Sequence, residues 1–159
     1  MINFEIDGVK FNYRVAAIIL NDEKNKILLN QNLAETFWFI PGGRCEPLEF
    51  SKNTLEREVE EEMGEDITIE RPVFLVENLF VHADKKYHEI GIYYIAHIEG
   101  TNMAVRDEEF IREDELGKKI KFKWFNLDEL KNISLQPAFL KERLQNIPDQ
   151  MEIIEVKDF

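Results

Sequence analysis

Glu58, Glu61 and Glu62 stand at i, i+3 and i+4 in a run that contains no proline or glycine from residue 51 to residue 63. At helical spacing their three carboxylates share one edge, where like charges repel by roughly 0.2–0.5 kcal/mol per pair. A bound cation reverses that sign. Oxygen ligands without a nearby pair of Cys and His suit a hard cation, Mg2+ or Mn2+, better than zinc. Just upstream, Pro41-Gly42-Gly43 is a turn that can bring bare backbone to the same place, with the Gly42 carbonyl as a further ligand. Arg57 can hold a neighbouring carboxylate such as Glu49 through a forked, charge-assisted pair. The alternative is a solvated acidic helix face, and Glu56, Glu60 and Glu65 are read as no more than that.

A helix over residues 51–63 positions these groups. Ser51 is its expected N-cap and Gly64 its end. Leu55, Val59 and Met63 recur at i, i+4 and i+8 and form an apolar stripe suited to packing on a sheet.

Gly43, five residues, Glu49, seven residues and then Arg57-Glu58-Val59-Glu60-Glu61-Glu62-Met63-Gly64 resembles the Nudix box, GX5EX7REUXEEXGU, of the MutT/Nudix hydrolases. Every fixed letter over residues 43–65 matches, which makes the motif a specific one. Two positions depart from the pattern: Glu65 stands at the closing apolar position, and Leu48 stands where a small residue often precedes the first box glutamate. The resemblance implies an α+β fold, an α/β/α sandwich around a mixed β-sheet, as a single domain over residues 1–159. It extends to the apolar strand after Arg14, the WFIPGG lead-in and the KWFNLDEL tail.

The activity implied is metal-dependent cleavage of the diphosphate linkage in a nucleoside diphosphate joined to a group X. By resemblance Glu58, Glu61 and Glu62, with the Gly42 carbonyl, hold the Mg2+ or Mn2+. Glu58 is the first choice of general base, with Glu61 and Glu89 behind it, and Arg57 orients. Gly43, Glu49 and Gly64 shape the box, and Arg14, Trp38 and Arg44 are the candidates for substrate contact. The extended motifs of coenzyme A and NADH hydrolases are missing, as are the residues that often mark ADP-ribose or dinucleoside polyphosphate substrates. Nucleoside triphosphates and NDP-sugars are then the expected substrates. A catalytically silent Nudix domain that binds nucleotide as a sensor or partner-binding module is the alternative, and an acidic cation-binding protein without turnover is a third. The complete box favours the enzyme.

Composition sets the limits. A chain of 159 residues with 44% hydrophobic content has room for one domain and a core, much of it in twelve phenylalanines and two tryptophans. A formal charge of -12 leaves no basic surplus for long nucleic acid, though a small phosphorylated ligand remains compatible. The N-terminus has no signal-peptide pattern and no apolar run approaches a membrane span, so a cytoplasmic location is expected. Partners reduce to a small nucleoside diphosphate derivative, with a homodimer left open. Cys45 is the only cysteine; no disulfide framework exists, and Cys45 is read as an ordinary loop residue.

Along the chain, residues 2–20 read as a hairpin turning at Asp7-Gly8. Residues 15–20 read as a strand buried on both faces, with Arg14 at its entrance facing either solvent or a phosphate. Residues 26–30 form a short strand, and residues 36–40 an apolar run in which Phe37 or Trp38 either fills core or stacks on a base. Residues 67–80 and 87–98 are long strands. In the second, Glu89 interrupts apolar neighbours, and burial there is costly without a partner. Residues 102–121 read as a charged loop that could serve as a lid. A short strand follows over 122–125, then a helix start at NLDEL and a second helix over 137–144 with proline in its first turn.

Overall fold

The computed structural model describes residues 1–99, 109–114 and 116–159. Its strands are β1 (Asn3–Ile6), β2 (Val9–Ile19), β3 (Lys26–Asn32), β4 (Trp38–Phe39), β5 (Gly42–Arg44), β6 (Ile67–His82), β7 (Lys85–Ile98), β8 (Phe110–Glu113), β9 (Lys119–Asn126), β10 (Leu135–Gln136) and β11 (Glu152–Asp158). Helix α1 spans Ser51–Met63, a 3-10 helix spans Leu127–Asn132, and α2 is the single turn Leu140–Arg143.

Strand β2 carries the architecture. Every side chain from Val15 to Leu20 is buried, which requires cover on both faces, because alternate residues point to opposite sides. Val15, Ala17 and Ile19 pack in one cluster with Leu55, Val59 and Met63 of α1, while Ala16, Ile18 and Leu20 pack in another with Leu130, Leu140 and Leu144. Strand β3 divides in the same way, Leu28 joining the first cluster and Ile27 and Leu29 the second. Helices therefore lie on either side of mixed sheets, an α+β arrangement. One sheet runs β1-β2-β7-β6-β11 with β5 paired to β2, and the other runs β10-β4-β3-β9-β8. Pairs β2–β7, β6–β11 and β4–β10 are parallel. The Asp7-Gly8 turn joins β1 to β2 with both residues at positive φ, 51° and 78°, as a type I′ hairpin turn requires.

The structure corrects several local expectations. Phe50, not Ser51, occupies the N-cap of α1 and makes no side-chain cap bond; the Ser51 hydroxyl instead meets the Tyr94 hydroxyl at 2.7 Å. Gly64 does end the helix, at φ 68°, with its N–H donating to the Glu60 carbonyl at 2.8 Å. Within 102–121 the described residues include β8 and the start of β9, anchored by buried Phe110 and Ile120; charged neighbours hide these two core residues in the sequence. Residues 102–108 and 115, and with them that part of the lid reading, lie outside the described residues. The NLDEL segment is a 3-10 helix closed by an Asn126–Glu129 capping box. The expected helix over 137–144 shortens to one turn, because its first bonds, Leu140 N–H to Pro137 O and Lys141 N–H to Ala138 O, span three residues rather than four. Strand β11 is an addition; half-buried Glu152, Ile154 and Val156 alternate with exposed Ile153, Glu155 and Lys157, so apolar residues stand on both faces and no period of two marks the strand in the sequence.

The α1 stripe sets a stability prediction. Leu55 is fully buried and Leu48 fully exposed. Leu55→Ala should cost about 2–5 kcal/mol and Leu48→Ala about 0.5 kcal/mol or less, as read by denaturant unfolding.

Candidate active site

Strand β5 brings two glycines against β2 and α1, and each glycine is required by a different contact. The register pairs Arg44 with Arg14, Gly43 with Val15 and Gly42 with Ala16. A Cβ on Gly42 would lie 2.0 Å from the Val15 carbonyl oxygen, and a Cβ on Gly43 would lie 2.1 Å from Cδ of Glu58. The Glu58 carboxyl group thus occupies the space that any larger residue at 43 would fill.

Arg57 joins the loop to the helix. Its Nε and Nη2 bond Glu49 Oε1 and Oε2 at 3.2 and 3.1 Å, and its Nη1 reaches Glu58 Oε1 at 3.0 Å and Glu61 Oε2 at 3.2 Å. The Thr54 hydroxyl adds a third bond to Glu49 at 2.8 Å. These donors favour the charged carboxylate, and the Glu49 pKa falls to about 2, with the Arg57 hydrogen bonds the largest cause and Thr54 next. The loop before α1 is the place where the sequence departs from the usual pattern. Leu48 sits at φ 65° and is fully exposed, which explains why a small residue suits that position.

Burial first, and the nearby Glu58 charge second, push the Glu62 carboxyl up to about 7 against Lys118 and Arg14, which lower it. Glu62 Oε2 is buried without a hydrogen-bond partner among the described residues. Burial also raises the Glu58 pKa, opposed by Arg57. Glu61 is more exposed and engaged by Arg57. Among the described residues no three acidic, His or Cys side chains already stand together as a metal cage. The expected trio shares the helix edge, but Arg57 holds Glu61 to one side while Glu62 is sunk in the wall. The donor set still fits a hard cation: the buried Glu62 Oε2, without a donor among the described residues, stands beside the half-buried carboxylate of Glu58, and the pair lacks only positive charge.

These groups open on a cleft of about 740 Å³ lined by Gly42, Gly43, Glu58 and Glu62 together with Arg14, Arg44 and Glu89. Arg14 donates from Nη2 to the Ile40 carbonyl at 2.9 Å, so the guanidinium at the entrance of the buried strand faces the cleft. Glu89 is buried and accepts from Asn12 Nδ2 at 3.3 Å, which supplies the partner that burial demands. Trp38 is placed otherwise than a base-stacking role needs. Its ring meets Phe125 edge-on at 4.9 Å against the core, while its neighbours Phe37 and Phe39 line the cleft; alternation along β4 sends 38 and 39 to opposite faces, and Phe37 reaches the cleft from the bend before the strand. Cys45 is buried and its thiol pKa raised by burial, the opposite of what a nucleophile needs. Sequence reasoning missed Asn12, Asn30, Asn78 and Lys118, all in the cleft wall; single polar residues on strands whose partners are distant carry no periodic signal.

The family model for the NUDIX domain matches residues 10–147. The chain belongs to the Nudix hydrolase family. Solved Nudix relatives share the fold at low identity. An ADP-ribose pyrophosphatase from Streptococcus suis superposes with a TM-score of 0.61 at 19% identity, covering 92% of this chain and 98% of that one. A MutT protein from Bacillus halodurans gives 0.64 at 18%, covering 92% and 89%. A UDP-X diphosphatase gives 0.60 at 18%, covering 90% and 66%. No curated protein matches the chain. Among the described residues no helix is long and apolar enough to cross a membrane.

Two predictions test this Nudix site. Gly42→Ala drives a Cβ into backbone and should cost roughly 3 kcal/mol or more, whereas Gly43→Ala meets a side chain that can swing away and should cost about 1 kcal/mol; thermal unfolding separates them. Glu49 has a lowered folded pKa, so its contribution is present above its ordinary 4.5 and lost as pH falls through about 2. The stability advantage of the natural chain over Glu49→Gln should therefore be constant above pH 4.5 and be lost between there and about pH 2 in acid titrations followed by circular dichroism.

Proposed function

We propose that this chain is an Mg2+- or Mn2+-dependent pyrophosphohydrolase cleaving the diphosphate linkage of a nucleoside diphosphate joined to X, with nucleoside triphosphates and NDP-sugars favoured. The observation that carries the reading is Glu62 Oε2, a buried carboxylate oxygen with no hydrogen-bond partner among the described residues, with the half-buried, Arg57-paired carboxylate of Glu58 near enough to act on it electrostatically. Glu58, Glu61, Glu62 and the Gly42 carbonyl would hold the ion, Glu61 exchanging its Arg57 contact for it. When bound, the ion would neutralise charge developing on the diphosphate oxygens.

The chain's own groups supply the rest. Glu58 takes the proton of the attacking water, with Glu61 the second choice. Arg57 keeps these carboxylates and Glu49 in register. Arg14 and Arg44 meet the phosphates from the cleft wall, and Phe37 and Phe39 take the ring-contact role expected of Trp38. Two of the structurally similar proteins are named for ADP-ribose and UDP-X, both nucleoside diphosphates joined to another group, which supports the substrate class. The reading treats residues 1–159 as one catalytic domain acting on small molecules, away from long nucleic acid and membranes, in a cytoplasmic setting.

The test is release of phosphate or pyrophosphate across nucleoside triphosphates, NDP-sugars, ADP-ribose and dinucleoside polyphosphates, with Mg2+, Mn2+ or chelator. Turnover of one class that chelator abolishes is expected. Glu61→Gln and Glu62→Gln should each lower kcat/KM by roughly 100-fold, equivalent to about 2.7 kcal/mol, while remaining folded. Glu62→Gln should also raise the Tm of the metal-free protein, because it removes a buried, unpaired charge. Full activity in either variant would defeat the assignment; nucleotide binding without any turnover would point to a silent module.

A further inference from the structure

The face of the first sheet that forms the core layer does not stay apolar to its end. Ala16, Tyr93 and Phe74 form one cross-strand row of β2, β7 and β6, and the next row outward is Arg14, Gly91 and Val76. One row further, the register aligns Asn12, Glu89 and Asn78. Beyond that, Phe80 and Tyr87 are paired and stacked, ring centroids 4.9 Å apart and planes 6° from parallel. Residues two apart on a strand share a face and lie roughly 7 Å apart, so these rows lie in sequence along one floor, with Arg14 at the box end. Gly91 leaves its position in that floor without a side chain.

The polar row is anomalous as a structural feature. Asn12, Asn78 and Glu89 are 3%, 7% and 8% exposed, yet Oδ1 of both asparagines lacks any hydrogen-bond partner among the described residues. The single bond inside the row runs from Asn12 Nδ2 to Glu89 Oε2. Buried polar groups are rarely left so, because an unmade bond there is not replaced by one to water. All three residues line the cleft, so the row turns carboxyl and amide oxygens, all acceptors, toward it.

We infer that the row Asn12–Glu89–Asn78 is a specificity subsite that reads a planar base whose edge presents adjacent ring N–H and amino donors, as guanine does. This rests on the reading of the cleft as a nucleotide site and deepens it. The flat ring is favoured by the stacked Phe80–Tyr87 pair immediately outward, with Phe37 and Phe39 also lining the cleft. A carboxylate accepts two parallel N–H bonds from such an edge; adenine offers only its amino group there and uracil a single N–H. A group held by two positioned acceptors is distinguished from one lacking a donor far more sharply than by fit alone. Glu89 then acts on the base, leaving the reaction to the box carboxylates.

The deciding experiment compares guanosine and inosine, which differ by the amino donor, in two assays. The first is calorimetric titration of the monophosphates in chelator, and the second is kcat/KM for the triphosphates with Mg2+. At least a tenfold preference for guanosine is expected in both, falling to within about twofold in Glu89→Gln; Asn78→Ala reads the same ratio if Glu89→Gln does not fold. Preferential binding without turnover would retain this inference and remove the hydrolase reading. Turnover with no base preference would do the reverse. A preference that follows the 2′-hydroxyl, seen with deoxyguanosine nucleotides, or an equal loss for both bases in the variants, would also overturn the subsite.

Discussion

The contact on which the site depends is the fork between Arg57 and Glu49. It ties the irregular loop after β5 to the second turn of α1, and the same guanidinium reaches Glu58 and Glu61. One cation thereby sets the positions of three carboxylates that would otherwise repel. Thr54, buried beneath, fixes Glu49 from the other side. The arrangement is partly buried, where charge-assisted bonds are worth more than on an open surface.

The second constraint is steric. Two consecutive glycines let β5 lie against β2 and let the Glu58 carboxyl group fill the space above Gly43. Close packing therefore determines where charge can sit: Glu62 is sunk in the wall, Glu58 lies under the strand, and Glu61 stays at the rim. The same strand, β2, runs from a core covered on both faces to Arg14 and Asn12 in the cleft. Core and cleft are one layer whose composition changes from apolar to polar along the strand.

Much of this was legible in order along the chain. The helix of residues 51–63 and its αL glycine were read from periodicity and termination, the doubly buried strand from an unbroken apolar run, and the hairpin from Asp7-Gly8. The family was legible in the spacing of the box, which encodes local helix geometry and needs no distant contact. The failures share a cause. Ser51 looked like a cap but is drawn to Tyr94, the charged stretch around Phe110 and Ile120 hid a strand, and β11 needed β6 to pair with.

Local spacing along the chain specifies the acidic edge of one helix, the glycine turn before it and the apolar faces that pack around β2. These follow from spacing along a single segment, because a helix or strand puts residues at set intervals on one face. Only the tertiary structure decided which side chains share the cleft. Trp38 went to the core and Phe37 and Phe39 to the wall, and Asn12, Glu89 and Asn78 came into one row from three strands. Strand register and sheet order set those neighbours, and both arise from contacts between residues far apart in the chain, which no local pattern records.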